Sequence, residues 1–422
     1  MLIVTSTGLF AQFTITGEVR PRTEFRNGFK RLHGDGVDPA FFIEQRSRLY
    51  MDYSKEKLSF NITLQDIRTW GNASQIYKTD PALNNVYEAW GKYAFDDKHA
   101  VKVGRQAMDY DNARFLGNLD WAQQGRSHDA LMFIRQNAEK QCELNLAFAY
   151  NQNMPFEPGN LAGTAYFGVN NYKTMLYGWW HKNFDNGKLS LLFHNDGRQA
   201  ADTTMANRQT YGVVGGVNAG DLKLDGEFYY QGGKDQFKNK VSAYLFALHA
   251  TLSTDLTPIT LGCEYLSGTS IDDDKNKSFD PLYGTNHKFY GYMDYFYVGN
   301  YHGQIGSGVT SGLIDLHLKT NFKMGEKSSL AAALHYFASP AKIYKGANPG
   351  NDTYNASLGT EIDLVYSLAL AKDVKFNLGY SQMFGTETME VIKSGGDRTL
   401  MQNWAWAMIA FKPQLFTSAK EQ

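Results

Sequence analysis

The sequence predicts an all-β chain: a transmembrane antiparallel up-and-down β-barrel of about eighteen strands, with short periplasmic turns and long extracellular loops. Three observations carry this. Connections between strand-like segments alternate short and long along most of the chain. Within the segments, charged and apolar residues alternate with period two. A high aromatic content (14%) accompanies a negative mean hydropathy. That combination suits a polar lumen wrapped in a narrow apolar band with aromatic girdles.

The first residues, 1–12, read as the apolar end of an export signal closing on Leu9-Phe10-Ala11-Gln12. The barrel is expected over residues 13–413 as one domain, with 414–422 as a C-terminal tail. The short connections are Ser54 to Lys57, Asp96 to Lys98, Asn137 to Gln141, Asp185 to Gly187, Asn218 to Asp221, Met324 to Lys327 and Ala371 to Asp373. The long ones are Asn27 to Ala40, Gly71 to Asn84, Asp109 to Arg126, Gln152 to Asn171, Gly268 to Gly312, Ser339 to Ala356 and Gly385 to Met401. A soluble sandwich has no reason to sort its loops by length.

Alternation assigns the faces. Glu18, Arg20, Arg22, Glu24 and Arg26 share one side of the first strand. Glu44, Arg46, Arg48 and Asp52 share one side of the second, opposite Ile43, Leu49 and Met51. Farther on, Asp225 and Glu227, then Asp315, His317 and Lys319, then Glu361 and Asp363 oppose runs of Leu, Ile and Phe. An Arg or Lys facing lipid at mid-depth costs about 2–4 kcal/mol, so these charges must face a wet lumen. The arginines sit mainly in the first third and the carboxylates later, which divides the lumen into a basic wall and an acidic wall. Tyr177, Trp179, Trp180, Tyr229, Tyr230, Trp404 and Trp406 fall near strand ends and suit interfacial girdles. Charges on both faces at Gln65 to Arg68 and at Lys102 to Gln106 call for a bulge in each strand.

Other classes are disfavoured. No apolar run of ~20 residues exists to form a transmembrane helix. The net charge of −1 gives no basic surface for nucleic acid. Cys142 and Cys263 lie in separate strands and read as small packing residues. Neither G-x-S-x-G nor His-Glu-x-x-His occurs, the histidines are scattered among strands, and no Cys/His spacing marks a metal, so neither an enzyme nor a cofactor is expected. Consecutive Asp272, Asp273 and Asp274 lack the spacing of a calcium loop.

The densest motif runs through Gly104-Arg105-Gln106, Asp111, Arg114-Phe115-Leu116-Gly117, Asp120-Trp121, Gln124-Gly125-Arg126 and Asp129-Ala130. With Leu64 to Gly71 and Phe279 to Tyr295, it resembles the alginate export family of outer-membrane barrels over most of the chain, from about Phe13 to Phe411. The resemblance implies an eighteen-stranded channel that passes a polyanionic polysaccharide through an arginine-rich constriction. Carried over residue by residue, Arg46, Arg48, Arg105, Arg114 and Arg126 would line the narrow part, with Glu88 and Asp129 holding them. Arg20 and Arg22 join this path by alternation. Arg forms a fixed fork that pairs with carboxylates and stays charged, and rings of Arg select anions in pores. The bland alternative makes the same arginines salt-bridged braces of the wall.

The loop from Gly268 to Gly312 is long enough to fold inward as a gate, with His287, Lys288, Tyr290 and Tyr292 as its candidate contacts. The expectation is a passive channel for anionic sugars, oligosaccharides or polysaccharide. The alternative is a general diffusion porin for small solutes, favoured by the split lumen. The partners expected are lipid bilayer, lipopolysaccharide and solute, with room for a periplasmic or lipoprotein partner.

Overall fold

A computed structural model of the protein describes residues 11–418, apart from 73–83, 138, 140, 156–157, 160–164, 168–170, 201, 307, 347–349 and 351. The export signal expected over 1–12 lies almost entirely outside these residues. Its last residue, Gln12, already pairs with Ser54 in the wall.

One antiparallel sheet closes on itself. Strand β1 (Gln12–Asn27) pairs on one side with β2 (Ala40–Lys55) and on the other with β18 (Gln402–Phe411) and β19 (Gln414–Thr417). The last two occupy a single position in the wall. They are separated at Pro413, which has no N–H to donate to the ladder. The wall is therefore eighteen strands round, in sequence order throughout. Residues 414–417, expected as tail, belong to it, because their pairing with β1 closes the seam.

Three connections escaped the sequence pattern: 200–204 and 234–242 on the long-loop rim, and 253–258 on the short-turn rim. The first is as short as a turn, so length alone could not place it.

The pleat sorts side chains as expected. In β1, Glu18, Arg20, Arg22 and Glu24 are buried toward the lumen, while Val19 and Phe25 are exposed outward. In β14 (Leu313–Lys323), Asp315 and His317 point in, and Leu316 and Leu318 point out. In β16 (Ser357–Ala371), Glu361 and Asp363 point in, and Ile362 and Leu364 point out. The apolar core is built from inward-facing wall residues, Met132, Met175, Leu245, Leu313 and Phe337 among them, and from the loops they enclose. It lies inside the lumen, where Leu116, Phe289, Tyr290, Met293, Tyr295 and Phe296 of two long loops pack together.

Two sequence expectations change here. Tyr177, Trp179, Tyr229, Trp404 and Trp406 are not girdle residues but face inward and are buried. Indole N–H groups find partners there: Trp179 Nε1 donates to Asp111 (3.0 Å) and Trp404 Nε1 to Glu24 (2.9 Å). Tyr230 does face outward. The bulge expected in the strand of Gln65 lies instead in its neighbour: the register of β3 (Leu58–Thr69) with β2 is continuous, and Tyr87 of β4 (Asn84–Ala94) is the extra residue opposite Thr63/Leu64. Near Lys102 the β5 register is regular. There Gly104 takes a φ of +120°, and an added Cβ would lie 2.3 Å from the Ala89 carbonyl oxygen.

Leu248, in β12 (Ala243–Leu252), is 46% exposed on the outer face beside Gly226 and Cys263. Leu248→Arg should lower folding stability in a bilayer by about 2–4 kcal/mol, read from urea-driven folding equilibria.

Candidate channel site in the barrel lumen

Four of the five arginines of β1 and β2, Arg20, Arg22, Arg46 and Arg48, converge on one loop, while Arg26 pairs with Glu24 (2.9 Å). Residues 107–127, between β5 (His99–Gln106) and β6 (His128–Gln136), turn into the lumen and lay Asp120 to Gln124 against the basic wall. Arg20 donates to the Asp120 carbonyl (2.9 Å) and Arg22 to the Trp121 carbonyl (2.8 Å). Arg46 pairs with Glu18 (2.5 Å) and Asp120 (2.9 Å). Arg48 donates to Gln65 (2.9 Å) and lies over the Tyr87 ring (3.6 Å). All four guanidiniums are buried. The basic wall thus supplies N–H donors to loop carbonyls and one loop carboxylate.

Burial alone would raise the pKa of Asp120. Arg46, Arg20 and Arg48 outweigh it and hold the carboxyl below its usual range.

The acidic wall does the complementary job. Arg114 of the same loop crosses to β11 (Leu222–Gly233) and β13 (Ile259–Leu266). It donates two bonds to Glu264 (2.6 and 2.8 Å) and two longer ones to Glu227 (3.4 and 3.5 Å). Its charge also faces the Phe289 ring (3.7 Å). Loop 267–312 follows it inward. Met293 N–H donates to Glu361 (2.8 Å) and Tyr292 N–H to Asp363 (3.4 Å). His287 bonds Asp294 (2.6 Å) and stacks on Trp121 (4.5 Å). Lys288 donates to the Asn112 carbonyl (3.0 Å). Tyr290 is buried near Arg114.

The two loops also bond each other. Gly117 N–H donates to the Tyr283 carbonyl (2.9 Å) and Thr285 N–H to the Ala113 carbonyl (2.8 Å). That approach requires glycine, since a Cβ at 117 would sit 2.3 Å from Thr285 and one at 284 would sit 2.2 Å from the Arg114 carbonyl oxygen.

The other residues expected on the path are placed differently. Arg105 and Asp129 pair (3.1 Å) at the loop-rim ends of β5 and β6. They alternate away from buried Gln106 and His128 and so border the rim, not the narrow part. Among the described residues no arginine lies within ion-pair distance of Glu88, whose Oε1 accepts the Ala107 N–H (2.9 Å). Asp272 and Asp273 are engaged by Tyr344 and by Lys277 and the Ser270 N–H, as braces of the loop.

Arg126 differs from the rest. Among the described residues no carboxylate lies within ion-pair distance of it, and its Nη1 donates to the Gly284 carbonyl (3.0 Å). Burial pulls its pKa below the usual arginine value, only partly countered by Tyr283, yet an arginine so placed remains charged at neutral pH. It lines both cavities above the crossed loops, one of about 810 Å³ and one of about 330 Å³. The larger also carries Arg22, Arg26, Lys30, Arg198, Arg208 and Lys234 against Glu44, Asp196, Asp235, Asp280 and Asp294, a basic excess of two. Arg198 and Arg208 pair with Asp196 (2.9 Å) and Asp280 (2.6 Å). These vestibule residues from strands β9 (Gly187–Gln199) and β10 (Met205–Ala219) were not singled out in the sequence. Only their position on the inward alternation could have marked them.

A family model described as alginate export matches residues 11–404. None of the curated proteins matches the chain. Solved structures similar to it are outer-membrane barrels. OccAB4 of Acinetobacter baumannii is 11% identical, with TM-score 0.61 over 96% of this chain and 98% of that one. OccK9 (OpdG) of Pseudomonas aeruginosa is 8% identical, with TM-score 0.62 over 96% and 98%. OpdK of the same organism, solved with vanillate, is 9% identical, with TM-score 0.58 over 95% and 98%. The fold and the outer-membrane location follow from these matches.

Two outcomes test the docking. Arg114→Met strands two buried carboxylates, so it should cost about 3–5 kcal/mol, read as a lower temperature of conversion from the folded gel band, and should raise open conductance. The Asp120 contribution is present above its ordinary value of 3.8 and is lost as pH falls through its lower folded value. Conductance should therefore hold steady from neutral pH down to about pH 4 and step below it, with the step missing in Asp120→Asn.

Proposed function

The chain belongs to the alginate export family, and on that premise we propose that it is a passive outer-membrane channel whose outer vestibule admits anionic sugars or short uronate oligomers. The observation that carries this reading is Arg126, a half-buried cation without a carboxylate partner among the described residues, set between the two cavities. A guanidinium presents a planar fork that matches a carboxylate bidentately. Taking a solute carboxylate out of water toward Arg126 gives that cation the partner the wall does not provide. The remaining cations of the vestibule would guide the anion inward at long range.

In this reading Arg20, Arg22, Arg46, Arg48 and Arg114 hold the loops. They shape the constriction, and of the five only Arg22 also lines the larger cavity that receives the solute. His287, Lys288, Tyr290 and Tyr292 likewise fix the loop that narrows the path. No catalysis is ascribed to the barrel. A periplasmic or lipoprotein partner and contacts with lipopolysaccharide belong to the same proposal.

One observation favours a second reading, a weakly selective pore for small solutes. The arginines of the first two strands are already paired with Glu18, Glu24, Glu44 and Asp120, which reduces the net field they leave in the lumen.

Planar-bilayer recording in a salt gradient separates the two. The anion channel should reverse on the anion side and be blocked by an oligouronate, and Arg126→Ala should weaken the block roughly 10-fold, the scale of one charge-assisted contact. An unselective reversal potential without block would leave the general pore.

A further inference from the structure

Three adjacent strands of the acidic wall carry a side-chain cluster that the anion path does not use. Cross-strand register sets His249 of β12 opposite Gly262 of β13, and Gly262 opposite His317 of β14. Glu264 and Asp315 face each other across the same two strands, two residues along. The glycine opens room between the imidazoles. Their ring centroids are 5.2 Å apart, and a Cβ at position 262 would lie 2.0 Å from His317 Nε2. Donor atoms of His249, Glu264 and His317 all lie within 4.8 Å of one another.

We propose that His249, Glu264 and His317 form a lumenal binding site for a divalent transition-metal ion of the zinc class. Two imidazole nitrogens and one carboxylate oxygen suit zinc, copper(II) or nickel(II), whereas calcium and magnesium prefer all-oxygen shells. The surrounding contacts match what a metal-binding imidazole requires. His317 Nδ1 lies 3.2 Å from Asp315, so a proton on Nδ1 leaves the Nε2 lone pair facing the space over Gly262. His335 Nδ1 bonds the same carboxylate (2.8 Å) and steadies it.

His249 Nε2 stands 3.0 Å from Glu264 Oε1, and the metal would replace that hydrogen bond. Local charge leaves room for a dication: among the described residues Arg114 is the one guanidinium paired with Glu227 and Glu264, and Lys288 and Lys319 act on the cluster only from beyond ion-pair distance. Access is from the lumen water on the His249 side, where the side chain is 17% exposed while Glu264 and His317 are buried. The occupied site would join three wall strands and stiffen the carboxylate that docks Arg114.

The test uses the full-length barrel, purified in detergent and stripped with a chelator, titrated calorimetrically with zinc chloride and, separately, with calcium chloride. One saturable zinc site per barrel is expected, with no calcium counterpart. His249→Asn and His317→Asn should each weaken zinc by at least about 10-fold, and Asp315→Asn by roughly 10–100-fold. If the buried His317 or Asp315 variants do not fold, His249→Asn, at the exposed end of the site, decides alone. No saturable zinc binding, or zinc affinity unchanged in His249→Asn, overturns the proposal.

Discussion

A closed barrel in a membrane must turn its charges inward, and charges turned inward have to be answered by something. That constraint organises this protein. The outer face is committed to lipid by the period-two pattern, so Arg20, Arg22, Arg46 and Arg48 on one side and Glu227, Glu264, Glu361 and Asp363 on the other cannot find partners outside. Two long loops supply them. The basic wall binds loop carbonyls and Asp120, while the acidic wall binds loop N–H groups and Arg114. Opposite polarities of wall select opposite ends of the peptide dipole.

The same arrangement narrows the lumen. Arg114 reaches across to β11 and β13, and the backbones of the two loops bond at Gly117 and Thr285. Buried ion pairs of this kind give modest net stability, because desolvation offsets much of the Coulomb gain. Their effect here is positional. Either partner left alone in the lumen wall would be costly, so the loops dock where Arg46, Arg114 and Asp120 all find partners. What remains unsatisfied is then informative, and Arg126 stands in that position at the floor of the vestibule.

Much of this was legible in the sequence, and the part that was not has a physical reason. The alternation of Glu18 to Arg26 and of Glu361 to Asp363 identified the lumen face, and the loop lengths identified the two rims. The run from Gly104 to Ala130 pointed to the segment that enters the lumen. The partners were hidden because they are remote: Arg114 and Glu264 are 150 residues apart. The inward turn of Trp404 and Trp406 was hidden too. An aromatic near a strand end fits a lipid interface or a packed lumen equally well, and Trp404 is settled by its bond to Glu24. His249, His317 and His335 looked scattered because each sits in its own strand. Register alone brings His249, His317 and His335 into one row.

The most direct measurement of the central claim is hydrogen–deuterium exchange of the folded barrel, resolved to the peptides of loops 107–127 and 267–312. Docked loops predict that the Gly117, Thr285, Tyr292 and Met293 amides exchange as slowly as those of the wall strands, and that Arg114→Met speeds all four. Exchange of these amides at the rate of a free loop in the wild-type protein would contradict the account.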